Sequence, residues 1–432
     1  MSAHATKFLY PLIIAPALAT FHSLDDQLAA INVINSVLVA ATVFPAAALV
    51  YRLFSGKHSV IMVAFAAVAA FLPDSFYSIG MMAEPLALPL AFGWLYFLYV
   101  FFSSDNSSSR SGTVVILGIM AFLLYACKEH FVVYVAAFVV VCAIKTVLHV
   151  KGKVGNAEVR QIVLGAVSDI ALFFGVAALL TVASQAAVFG TIPNNAYNNQ
   201  LDILDELAGI EPQRVCIFIG VLAAHIIAMS GFIPLFFLPW RRSRSWEGPG
   251  VSLALFAAVA LVLMGVVVLL TIMIQEDGMP ARFIARYYTP LAFVLIACTV
   301  AKLVGASSDE LSSMMQKHGM VGLLVACVAI ALALGYCSCD YEPTGLFWLT
   351  CLISGNFSPS GGAVPPVLPV VVARVLIIAA LLVLAFAVQK GKVGGRVLSA
   401  VFTGLFLVAW GFSACIMANC MHNAHVLDDA DR

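Results

Sequence analysis

The chain has 432 residues, of which 62% are hydrophobic and only 10% charged, with a mean hydropathy of +1.03. A soluble domain carries about 25% charged residues, so this chain cannot clothe its surface for water, and lipid must be the solvent for much of it. Its 22 Lys and Arg balance 22 Asp and Glu, which leaves no argument for nucleic acid or another polyanion as partner.

The first apolar stretch, residues 8–21, is too short to cross a bilayer. With Lys7 ahead and Ala17-Leu18-Ala19 behind, it has features of a signal peptide. Pro11 and Pro16 interrupt the helix such a segment prefers, so a short helix lying at the outer interface fits better. The chain would then begin outside with no span to carry it there, and the expectation is a further N-terminal helix ahead of it.

Runs of about 20 apolar residues, long enough to cross the hydrocarbon core, fall at 27–52, 58–77, 84–103, 112–127, 130–149, 162–190, 213–240, 251–274, 287–304, 319–339, 366–389 and 397–418. Each must satisfy its own backbone inside lipid, which requires helix; the alternation of a membrane β-barrel is absent. The expected fold is all-α: a polytopic transmembrane helix bundle of about 12 spans plus the short N-terminal interfacial helix. Residues 1–432 form a single integral membrane domain, with the last spans at 319–418 and a tail at 419–432. Polar linkers at 103–111, 150–160 and 241–250 connect spans and are too short to be soluble domains.

Basic residues orient the bundle. One set of loops carries Arg52, Lys57, Arg110, Lys151, Lys153, Arg160, Arg241, Arg242, Arg244, Lys302, Lys317, Lys390, Lys392 and Arg396, with Lys145 just inside the membrane beside them. That is 15 of the 22 Lys and Arg. The positive-inside rule makes this side cytoplasmic and places both termini outside, in a multi-pass plasma-membrane protein. The ten cysteines are scattered; Cys142, Cys216, Cys298 and Cys327 read as small buried hydrophobes, whereas Cys337, Cys339 and Cys351 lie near a loop that could oxidise.

The outer side gathers the polar clusters. Asp74 and Glu84 bracket a turn, and Glu84-Pro85 opens the next span. Glu84 is either a helix-start residue favoured by the helix dipole or a carboxylate at a cavity lip, suited to accept a hydroxyl proton. Lys128-Glu129-His130 fill a tight turn between two spans, either as a solvated tip or as a phosphate holder through Lys128. Arg282 and Arg286 share a helical face. They suit a phosphate gripped by two guanidiniums, or equally headgroup anchoring helped by Tyr287 and Tyr288. The larger outer loops, 191–212 and 340–365, are respectively acidic and amide-rich, and rich in Gly, Pro and aromatics. No Walker A, HExxH, GxSxG or paired CxxC motif occurs, which removes ATP-driven, zinc-hydrolase and serine-hydrolase readings.

In order and spacing these segments resemble the polyprenyl-phosphate-sugar-dependent membrane glycosyltransferases of the GT-C class. The pieces are Tyr10-Pro11-Leu12 with Ala15-Pro16, the span Asn32–Phe54 with its terminal Arg52, Ser78-Ile79-Gly80-Met81-Met82-Ala83-Glu84-Pro85, and Arg286-Tyr287-Tyr288 followed by Pro290. The likeness is best over 8–150 and 280–300, within core spans at 27–304. It implies a sugar taken from a polyprenyl-phosphate donor on the extracytoplasmic face and passed to a glycan, lipid or protein acceptor. Glu84 and Asp74 would be the catalytic carboxylates, and Lys128, His130, Arg282, Arg286 and Tyr287 would bind the lipid phosphate. No cofactor is assigned, a divalent cation is left open, and no residue is assigned to metal. The family usually places an acidic catalytic residue in an outer loop after a first span, and this chain starts beyond that point. Asp25 and Asp26 come too late in the pattern to replace it, which leaves either an upstream start or a member without transferase activity. The alternative class is a transporter or flippase for a lipid-linked glycan. It would use ionisable residues within spans, of which Asp169, His225 and Arg374 are the candidates; the lack of a visible internal repeat counts mildly against it.

Overall fold

The computed structural model describes residues 8–70, 83–104, 106–151, 155–189, 248–275 and 288–314, and parts of 379–410. Every element among them is helical: α1 (Leu9–Thr20), α2 (Leu24–Ala41), α3 (Val43–Leu53), α4 (Ser59–Ala70), α5 (Glu84–Ser103), α6 (Ser107–Cys127), a single 3-10 turn (Glu129–Phe131), α7 (Val132–Val150), α8 (Asn156–Phe189), α9 (Pro249–Gln275), α10 (Thr289–Gly305) and α11 (Ser308–Met314). Six helical stretches are long and apolar enough to cross a membrane, counting α2 with α3 as one. The expected spans at 213–240 and 319–339, and most of 366–389, lie outside the described residues. The described residues fall into two compact units, one within 1–49, 77–209 and 244–264, the other within 50–76, 210–243 and 265–432.

In the first unit, α1 and α2 form a helical hairpin. Ser23 caps α2, its Oγ accepting from the Asp26 N–H at 3.1 Å and donating to Asp26 Oδ2 at 2.6 Å. Gln27 Nε2 donates to the Phe21 carbonyl at 2.7 Å, tying down the end of α1. Asp26 therefore serves the turn. The two prolines do not stop α1. Pro11 sits in the first turn, where its N–H would have had no partner, so Pro16 alone lacks a helix bond. Tyr10, Ile14 and Ala17 form the buried stripe of α1, and the helix packs on α2 and α6. Its other faces are apolar too, with Leu12 and Leu18 exposed, so it lacks the polar face of a helix lying in an interface.

The run expected as one span at 27–52 is one membrane-length stretch, Leu24–Leu53, whose helical ladder is interrupted near Thr42 while that residue keeps αR dihedrals. The cause is Pro45, which has no N–H for the Ala41 carbonyl and whose ring crowds it. The linker expected at 103–111 is likewise partly helix: Asn106 Oδ1 accepts from the Ser108 N–H at 3.0 Å and starts α6 within that serine run.

α5 is the centre of this unit, buried on most sides, as expected of a helix apolar all round. Trp94 is fully buried and donates its Nε1–H to the Leu117 carbonyl on α6 at 3.2 Å. Its ring packs on Tyr134 and Phe138 of α7 and on Phe256 of α9 at 5.0–6.3 Å. Lipid competes equally for apolar surface, so helix association rests on such close packing and on interhelical hydrogen bonds worth about 0.6 kcal/mol each. Gly118 allows the closest approach: a Cβ there would stand 2.9 Å from the Phe173 carbonyl oxygen of α8. α8 has 34 residues, about 51 Å at 1.5 Å per residue, so it must tilt or project beyond a core about 30 Å thick.

In the second unit α10 is the buried helix, and Phe293 on it meets Phe65 of α4 edge-on at 5.5 Å. Phe406 packs on both rings. The connector from α3 to α4 turns through Ser55, Gly56 and His58, all at positive φ. Ser307 and Glu310 cap α11 reciprocally.

Candidate functional site

α6 defines the two ends of the first unit. From Arg110 to Lys128 it climbs about 27 Å, close to the thickness of the hydrocarbon core, and residues 111–127 contain no charged side chain. Each end is marked by an ion pair with a neighbouring helix.

At the Lys128 end, Glu84 stands in the first turn of α5 beside Pro85, where the helix dipole favours a carboxylate. Lys128 follows the last residue of α6, its N–H bonded to the Leu124 carbonyl at 2.8 Å. Its Nζ donates to Glu84 Oε1. Glu84 is only 6% exposed and the Lys128 side chain 14%. Cys127 Sγ lies 3.4 Å from the Ala83 carbonyl, holding the same two helix ends together. Two residues taken from separate sequence clusters thus form one contact. Glu84 is thus the helix-start residue of α5, and Lys128 is no solvated loop tip, because the two side chains shield one another.

His130 follows in the 3-10 turn, half-buried, with the turn anchored by buried Phe131 against Tyr134 at 5.1 Å. Tyr10 from α1 donates its hydroxyl to Asn35 Oδ1 on α2 at 3.1 Å, and both residues are buried. Burial, and then the negative charge of Glu84, hold the Tyr10 phenol above its ordinary pKa. Tyr10 and Asn35 were not among the sequence-predicted site residues. Asn35 could have been noticed as a polar amide within an apolar run; nothing in the sequence pairs it with Tyr10. Asp74, Arg282, Arg286 and Tyr287 lie outside the described residues.

The arrangement offers a shielded carboxylate whose counter-ion is a lysine. An incoming phosphate competes for that ammonium and exposes Glu84 to a hydroxyl, so one group can hold an anion while the other accepts a proton. Among the described residues no group of three His, Cys, Asp or Glu is placed to hold a metal ion.

At the other end of α6, Arg110 Nε donates to Asp169 Oδ2 of α8 at 2.6 Å. Asp169, a candidate intramembrane carboxylate for transport, is therefore paired at the basic end of the bundle. His225 and Arg374 lie outside the described residues. Comparison with family models, curated proteins and solved structures finds no match for the chain.

Proposed function

We propose that the chain is a membrane glycosyltransferase-like protein of the GT-C class, a bundle of about twelve spans acting at the extracytoplasmic face. It would transfer a sugar from a polyprenyl-phosphate donor to a glycan, lipid or protein acceptor of the cell envelope. The observation that carries this reading is the shielded Glu84–Lys128 pair at the end of the unit opposite the basic loops. Lys128, with His130 beside it, receives the lipid phosphate, and Glu84 receives the acceptor's proton. Asp74 is kept as a second carboxylate, and Arg282, Arg286 and Tyr287 as further phosphate contacts, on the sequence resemblance alone.

The test is sugar transfer by the full chain in vesicles loaded with a labelled polyprenyl-phosphate sugar. Glu84→Gln is expected to abolish transfer while leaving donor binding, and Lys128→Gln to weaken donor binding. Transfer unchanged in both variants overturns the assignment. Movement of labelled lipid across the bilayer without chemical turnover supports the flippase class instead.

A further inference from the structure

The basic end of the first unit carries a charge that the described residues do not balance. Arg110 places its guanidinium 4.5 Å over the ring of Phe101 and pairs with Asp169. Lys145, on α7, places its ammonium 4.6 Å over the adjacent Phe102 ring. The Phe101 and Phe102 rings stand 5.4 Å apart at the end of α5, so the two cations over them share one end of the unit. Two cations and one carboxylate leave one positive charge, and among the described residues Lys145 has no carboxylate within ion-pair distance. Lys145 is half-buried against its ring, where water compensates it less than at an open surface, whereas the Arg110 side chain stays 40% exposed.

Holding two like charges together in such surroundings is costly unless an anion joins them. The surrounding surface indicates which anion. On the hydrocarbon side of this cluster α8 exposes the apolar Leu172 and Leu179, and α7 exposes Val140. A soluble anion would gain nothing from that track, whereas a phospholipid places its phosphate on the cations and its acyl chains along the helices. The positive-inside rule assigns this end to the cytoplasmic leaflet, where anionic lipids reside.

We infer that Arg110 and Lys145, braced on Phe101 and Phe102 with Asp169 holding Arg110, form a binding site for the headgroup of an anionic phospholipid. The site is independent of the Glu84–Lys128 pair and of any transferase activity. Asp169 keeps Arg110 extended toward α8 and leaves Lys145 as the cation that meets the phosphate first.

The test is retention of lipid by the purified full chain, read by native mass spectrometry from micelles holding equal phosphatidylglycerol and phosphatidylcholine. The wild type is expected to keep phosphatidylglycerol with about a fivefold preference, the size of one added cation near a lipid phosphate. Lys145→Gln is expected to bring the ratio close to one, while Lys57→Gln, which removes an exposed cation elsewhere, leaves it unchanged. Equal retention of both lipids by the wild type overturns the site, as does an equal loss in the two variants, which marks generic surface charge. Displacement of the lipid by soluble glycerol phosphate also overturns it, since the acyl track then contributes nothing. Should Lys145→Gln fail to fold, the wild-type ratio and the glycerol phosphate competition decide by themselves.

Discussion

Replacing Lys128 by methionine removes the ammonium that faces the Glu84 carboxylate where little water reaches it. Glu84 is 6% exposed and the Lys128 side chain 14%, so screening is weak on both sides of the pair. Removing one partner of a buried ion pair costs about 3–5 kcal/mol, and the position near a membrane surface puts the expected loss for Lys128→Met at the lower end, about 3 kcal/mol. Glu84→Leu removes the carboxylate instead and costs about the same, because the penalty is that of a charge deprived of its ion-pair partner. The double variant, Glu84→Leu with Lys128→Met, removes both charges of the pair. It should therefore lose less than either single change, giving a coupling of at least about 3 kcal/mol between the sites. The assay is reversible unfolding of the purified chain in mixed micelles by increasing SDS, followed by circular dichroism. Losses that add to within about 0.5 kcal/mol would show that the two groups do not act on one another, and the site as drawn would fall.

At the α6–α8 crossing, Gly118→Ala puts a methyl 2.9 Å from the Phe173 carbonyl and 3.0 Å from Val176 Cβ, and should cost about 1–3 kcal/mol in the same assay. Gly93→Ala meets only the flexible end of Met120 and should cost much less. Asp169→Asn breaks a pair whose Arg110 side chain is 40% exposed, so its loss should stay below about 1 kcal/mol; a much larger loss would show that water does not screen this pair. Tyr10 has a phenol held above its ordinary pKa of 10.0, so the folded state keeps this proton longer than the unfolded chain. Its contribution is full below that value and is lost as pH rises beyond it, and Tyr10→Phe should flatten the decline seen above about pH 10 in melts across that range. With Cys216, Cys327, Cys337, Cys339, Cys351, Cys415 and Cys420 replaced by serine, cysteines at exposed Ser108 and His22 should react with an impermeant maleimide from opposite sides of sealed vesicles. Native Cys127, Cys142 and Cys298 are buried and should stay silent; labelling of both engineered sites from one side contradicts the orientation.

Membrane residence was legible from composition, and so, among the described residues, were most helix boundaries. The run at 84–103 coincides with α5, and 130–149 and 251–274 agree with α7 and α9 to within a few residues. These succeed because a run of apolar residues in lipid has helix as its only means of satisfying its backbone. Cys142 and Cys298 are buried free thiols, as their apolar surroundings suggested. Local departures had local causes that the hydrophobic pattern does not register: Pro45 interrupts the helical ladder of the first run, and Asn106 begins α6 ahead of the apolar residues it introduces.

The sequence by itself determined the solvent, the helical class and which residues stand at helix ends, since each follows from composition or from spacing along one segment. It also singled out Glu84 and Lys128, but as members of two clusters 44 positions apart with a bland alternative for each. Only the tertiary structure decided that they are partners, that Tyr10 reaches Asn35 across the first hairpin, and that Asp169 answers Arg110. Helix periodicity states which face a residue occupies on its own helix, whereas the neighbour that face meets depends on how helices cross. In this chain the crossings are set by small residues such as Gly118 and by the packing around Trp94.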